Sequence, residues 1–148
     1  MGWFSRRKQP NVVDDAAVAS QMRKLADAFI SGAAADGWHF TWDGAEVSRL
    51  DEYCDVFSGD NPPSEIQHSV VLAMGAYLGE LMVRHGGGRW TYDPKERAAV
   101  VDMPNELRAY PHNKVAKRLE LGPEHSLTPY YHYGLTRELP PGSKLTEL

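Results

Sequence analysis

The polar residues best placed to do chemistry in this chain are Glu80, near the end of the apolar run Ser69 to Val83, and the cations that follow it. Arg84 stands four residues on, Arg89 comes after three glycines, and Lys114, Lys117 and Arg118 form a later group. A carboxylate on a buried helix must raise its pKa or find a cation. Two arrangements meet that demand. Glu80 forms a buried salt bridge that locks its helix to the next segment, or Glu80, Arg89, Lys114 and Arg118 converge on an anion or carboxylate ligand with Trp90 and Tyr110 as walls. The salt bridge asks for less and is the first reading. Other chemistries lack their residues. His39, His68, His85, His112, His125 and His132 are scattered, with no HxH, HExxH or Cys/His spacing, so no metal and no cofactor is assigned. There is no GxSxG, and Cys54 sits with Val47, Leu50, Tyr53 and Phe57 at helical spacing, where a thiol reads as a packed side chain. No catalytic residue is assigned; the chain reads first as a non-enzyme, with a small-molecule or anion-binding protein, or an enzyme, using Glu80, Arg89, Lys114 and Arg118 as the alternative.

The elements that must position these groups follow from periodicity. SVVLAMGAYLGELMV is apolar on every side except at Glu80, so the helix through it is buried, and its fifteen residues are too few to span a membrane. Gly75 and Gly79 fall on one face, where another backbone can approach closely. This helix runs from about Ser64 to His85, and Gly86, Gly87 and Gly88 stop it; glycines after a helix cap it, whereas phosphate-cradling loops precede one. Upstream, Val18, Met22, Leu25 and Phe29 define an amphipathic helix started by Asp14 or Asp15 and ended by Gly32. Trp38, Phe40 and Trp42 alternate as a short strand, and Val47 to Phe57 is a second helix. Downstream, Arg89–Asp93 and Ala98–Met103 form a hairpin across PKER. A helix from His112 or Asn113 to Leu121 turns Val115, Ala116 and Leu119 inward and its three cations outward. A last helix, from His125 to about Glu138, carries Tyr130, Tyr131, His132 and Tyr133.

The net charge of −4 conceals a division: residues 11–65 hold eleven acids and three bases, whereas residues 66–148 hold nine acids and ten bases. No concentrated basic face exists, which disfavours general nucleic-acid binding. An acidic run of Asp51, Glu52 and Asp55 reads as a solvated helix face. Opposed charges steer encounters with specific partners. The leading functional reading is therefore a protein-binding or accessory domain, with region 43–60 or the aromatic region 129–133 as its interface. Asp51, Glu52, Asp55, Tyr130, Tyr131 and Tyr133 are the interface residues, and the partner is not identified.

Residues 1–10, with Trp3, Phe4, Arg6, Arg7 and Lys8, read as a disordered basic and aromatic tail, with weak membrane contact through residues 1–9 as the alternative. Residues 11–139 form one globular domain, and residues 140–148, after Pro140-Pro141-Gly142, are a loose tail. A single cysteine excludes an internal disulfide and fits a reducing cytoplasm. In its order of motifs, FTWDGAEVSRLDEY, GAYLGELMVRHGGGRW and YPHNKVAKRL, the chain resembles an uncharacterised bacterial family of unknown function. The likeness covers roughly residues 38–133, with Gly79, Glu80, Gly87, Arg89, Trp90, Lys114 and Arg118 matching its pattern. It implies a cytosolic α+β domain and carries no reaction or ligand. The expected fold is α+β: four to five helices, one apolar and central, packed on a small, mainly antiparallel sheet.

Overall fold

The computed structural model describes residues 4–6 and 14–148. Helix α1 (Asp15–Ala35) starts where the Asp14 carboxylate accepts from the amides of Ala16 and Ala17, which satisfies donors that have no partner in a first turn. It buries Met22, Ala26, Phe29 and Ala33 and runs three residues past Gly32. Its inward stripe is thus richer in alanine than the expected one, and Val18 and Leu25 pack only at its margin. Helix α2 (Glu46–Gly59) buries Val47, Leu50 and Cys54 and leaves Tyr53 and Phe57 half-buried.

Helix α3 (Ser64–Gly86) is the central element, as its composition requires. Every residue from Met74 to Met82 is buried, and Gly87 ends the helix in the left-handed conformation at φ 71°. Among the described residues it is the one helix long and apolar enough to cross a membrane, and half of that stretch is buried inside this fold, as in a core helix. Helices α4 (Pro111–Leu121) and α5 (Leu127–Thr136) complete the helical layer, joined by a 3-10 turn at Pro123–His125.

The strands are β1 (Phe4–Arg6), β2 (Arg89–Asp93), β3 (Ala98–Asp102) and β4 (Leu107–Ala109), in the antiparallel order β1-β4-β3-β2. The β2–β3 hairpin has the expected four-residue connection and pairs Trp90 with Val101. Because side chains alternate across a strand, Trp90, Val101, Met103, Leu107 and Ala109 join the hydrophobic core. Thr91, Asp93, Val100 and Arg108 are buried on the other face. The architecture is α+β, with five α-helices and one antiparallel sheet in a single domain.

Three expectations change. Trp38, Phe40 and Trp42 form no strand; they pack as an aromatic cluster with Phe29, Tyr53 and Tyr77 rather than pairing backbone. Phe4–Arg6 is an edge strand, not tail, and Phe4 stacks on Tyr130 with ring centroids 4.2 Å apart; residues 1–3 and 7–10 of that expected tail, with the rest of the membrane-contact reading, lie outside the described residues. In the expected loose C-terminus, Leu145–Glu147 forms a 3-10 turn and Leu148 packs against the core.

Gly75 and Gly79 do what their spacing requires. A Cβ at Gly75 would meet the His112 ring and lie 2.8 Å from its Cα; one at Gly79 would strike the Trp90 ring and lie 3.0 Å from Pro111 Cγ. Nothing stands within 4 Å of a Cβ built on Gly32. Gly79→Ala is therefore expected to destabilise by about 1–3 kcal/mol through overpacking, whereas Gly32→Ala gains up to about 1 kcal/mol of helix propensity. Denaturant melts of the two variants check the opposite signs.

Candidate functional site

The cations and carboxylate proposed to converge are separately engaged. Glu80, on the buried stretch of α3, accepts from Trp90 Nε1 at 2.9 Å and from Arg84 Nε at 3.4 Å. The lock between α3 and the hairpin exists, but an indole N–H closes it. Arg89 points away from Glu80: its side chain is 73% exposed and lies 3.8 Å from Asp15. The reason is register, since Arg89 and Trp90 are neighbours on β2 and must face opposite sides of the sheet. Arg84 lies over the Trp42 ring at 3.8 Å.

Lys114 and Arg118 are buried, against the expectation that they face outward. With Pro111 and Val115 they fall at the 3-4 spacing of an inward stripe, and Ala116 is exposed instead. Lys114 Nζ sits 5.5 Å from the centre of the Tyr130 ring. Arg118 donates to the Asp51 carboxylate at 3.0 Å, to the Asp51 carbonyl at 3.1 Å and to Asp55 at 2.8 Å. Asp51 also accepts from the amides of Leu127 and Thr128 and the hydroxyls of Ser126 and Thr128. It is therefore a shared cap for the first turn of α5 rather than a solvated acid, and Arg118 and Asp51 tie α2, α4 and α5 together.

Of the other candidate interface residues, Glu52 is exposed, and Asp55 is exposed while bonded to Arg118. Tyr130 is buried, and its hydroxyl accepts from the Tyr110 amide at 2.9 Å. Tyr133 is half-buried, edge-on to Phe4. Tyr131 is half-buried with its hydroxyl against Gly44, and burial, then Asp43, pushes that phenol up to about 12. The aromatic run 129–133 is thus mostly consumed in packing.

A second buried network escaped the sequence reading. Arg108 on β4 makes two bonds to Asp102 on β3, at 2.6 and 3.0 Å, and reaches Asp93 on β2 at 3.8 Å. Tyr110 donates to Asp93 at 2.9 Å, and Ser5 on β1 lies 3.1 Å from the Tyr110 hydroxyl. The group crosses all four strands. Its signal in sequence is only that Ser5, Arg108, Asp102 and Asp93 share one sheet face, which needs the pairing of β1 with β4 to be seen. Burial works against charge on Asp93, yet the Tyr110 hydroxyl, the Glu96 and Lys95 amides and Arg108 together outweigh it and hold the carboxyl below its usual range. Cys54 is buried beside Met74, and burial above all raises its thiol to about 12, far from the thiolate that nucleophilic work needs.

Three surface grooves, of about 380, 200 and 160 Å³, are lined by residues of α1, by residues of α4, and by Phe57, Ser58, Asn61, Pro62, Gln67 and Leu119. None is lined by Glu80, Arg89, Trp90, Tyr110, Lys114 or Arg118.

One partly exposed face belongs to α2. Arg49, Tyr53, Val56, Phe57 and Asp60 share one side of the helix by its 3.6-residue period. Trp38 stands edge-on to Tyr53 at 5.5 Å, and Tyr53 stacks on Phe57 at 6.4 Å. Val56 is 49% exposed. From residue 36 to residue 69 the chain carries eight acids and one base, Arg49. Among the described residues Asp36, Glu52, Asp60 and Glu65 form no ion pair, whereas Arg49 is held by Glu46 at 2.8 Å. These features define an α+β domain whose buried arginines, Arg108 and Arg118, are paired with acids and which presents an acidic, aromatic helix face. Comparison with protein families, curated proteins and solved structures returns no match to this chain.

Two predictions separate the buried pairs from the exposed one. Arg118→Ala leaves the mostly covered Asp51 carboxylate, 15% exposed, without its cation and is expected to cost about 3 kcal/mol, while Arg89→Ala costs less than about 1 kcal/mol because its partner is a surface acid; thermal melts at matched pH compare them. For Asp93, a folded pKa below the unfolded value means that its stabilisation is present above the unfolded pKa, about 3.9, and is lost as pH falls through the folded one. Asp93→Asn should therefore reduce the loss of stability on acidification below about pH 4, read from urea midpoints across that range.

Proposed function

We propose that this chain is a non-enzymatic protein-binding domain that contacts its partner through α2 and the loop preceding it. The observation that carries the reading is the unpaired acidity of Asp36, Glu52 and Asp60 beside half-buried Trp38, Tyr53 and Phe57. The buried arginines, Arg108 and Arg118, are held by acids, whereas this face keeps Asp36, Glu52 and Asp60 in water beside rings that are half-covered. Interfaces are enriched in such aromatic side chains, with charges at the rim setting encounter rate and partner choice. Of the two regions singled out from sequence, 43–60 is favoured over 129–133, because Tyr130 is buried and Tyr133 packs on Phe4. The ligand-pocket reading is less favoured, since none of the three grooves described is lined by its charges. The proposal includes a cytoplasmic setting, for which the free, buried Cys54 is the support.

Affinity capture from a lysate of the source cells tests it. Wild-type protein at low salt is expected to retain specific proteins that Glu52→Lys/Asp60→Lys releases, because both positions are exposed and the change leaves the core untouched. Retention of nothing above a bead control removes the proposal.

A further inference from the structure

The partner-binding reading leaves open what the α2 face recognises, and the inference that follows rests on that reading. We infer that the stripe formed by Trp38, Tyr53 and Phe57, rimmed by Asp36, Glu52 and Asp60, docks an arginine-bearing basic segment of a protein partner.

Charge sets the sign of the occupant. Of the eight acids between residues 36 and 69, Glu46 is paired with Arg49, and Asp51 and Asp55 with Arg118, which leaves Asp36, Asp43, Glu52, Asp60 and Glu65 without an ion pair among the described residues; the face therefore attracts cations and repels phosphate and acidic peptides. The rings set its kind. Arg49 already shows how this cluster receives a guanidinium: its Cζ lies 5.0 Å from the centre of the Phe40 ring and 5.8 Å from that of Trp38, while it donates to the His39 carbonyl. Arg84 does the same over Trp42 on the neighbouring loop. A planar guanidinium stacks on such rings and forks to carboxylates, which an ammonium does less well. Burial first, and then the Asp36 carboxylate, hold the Tyr53 phenol above its usual range.

Dimensions favour a chain segment over a small molecule. From Arg49 to Asp60 the stripe runs about 16 Å along the helix axis, the length of roughly five extended residues. It ends at the groove of about 160 Å³ between Phe57, Pro62 and Leu119, which offers a seat for one further side chain.

Two fluorescein-labelled peptides test the inference against the full chain: an arginine-rich peptide without acids, and the same peptide with every arginine replaced by lysine. Anisotropy titrations are expected to show the arginine peptide binding about fivefold tighter, as one or two exposed cation–π contacts imply. Glu52→Lys/Asp60→Lys should weaken it about tenfold. Trp38→Leu, with circular dichroism and melting as folding controls, should abolish the preference for arginine; if that variant unfolds, the exposed double variant and the peptide pair decide the matter without it. Equal binding of the two peptides, or binding of the arginine peptide that survives the double variant, overturns the inference. Lysate capture that persists while neither peptide binds overturns the basic segment but not the partner-binding reading; failure of both experiments removes both. A salt-sensitive dimer of the chain, detected by sedimentation and lost in the double variant, also overturns it by making a second copy the occupant.

Discussion

The closeness with which α3 approaches its neighbours governs this structure. Gly75 and Gly79 present no side chain, so the His112 and Trp90 rings lie directly against the helix. That approach brings the Trp90 indole within 2.9 Å of Glu80, and one neutral donor, with Arg84 beside it, satisfies a carboxylate that would otherwise be costly to bury. The apolar stretch Met74–Met82 can then be covered by α1, α4 and the hairpin without leaving the acid unpaired. Helix propensity is given up at two positions for packing contacts, which is the usual direction of that trade in a dense core.

Around this axis, two ionic networks fix the elements that hydrophobic burial alone would leave free to slide. Arg118 and Asp51 join α4, α2 and the first turn of α5; Arg108 and Asp102 join adjacent strands, with Asp93 and Tyr110 extending the group across the sheet. Buried pairs of this kind add less net stability than their Coulomb energy suggests, because both charges lose their water. Their geometry is specific, though. A slip of one residue in β4 would turn Arg108 toward the apolar face and leave Asp102 and Asp93 without it.

The consequence for function is a division of labour among charges. Arginines and acids that lie inward are matched to one another and are unavailable to a ligand. Asp36, Glu52 and Asp60, on and around α2, remain in solvent next to rings that are only half covered. Under the proposed protein-binding function, recognition would lie on a surface rather than in a cleft, its sign set by acids that the internal pairs do not use.

The sequence by itself determined the elements whose signals are local. The 3.6-residue pattern and caps defined the helices, the all-round apolar run made α3 central, the alternation about PKER defined the β2–β3 hairpin, and Gly75 and Gly79 announced a close contact. Tertiary structure alone decided what those elements meet. Phe4–Arg6 and Leu107–Ala109 are too short to show a strand period; the first is a strand because the second is there to bond it, and the second because it lies between Phe4–Arg6 and Ala98–Asp102. Trp38, Phe40 and Trp42 have the alternation of a strand but find rings rather than a backbone partner. Lys114 and Arg118 look like a solvated face until Tyr130 and Asp51 are placed opposite them, and Arg89 looks like the partner of Glu80 until β2 turns it to the other side. Local periodicity is written in neighbouring residues, whereas the pairing of a buried charge depends on groups some 67 positions away, as with Arg118 and Asp51. Only the assembled fold brings such groups together.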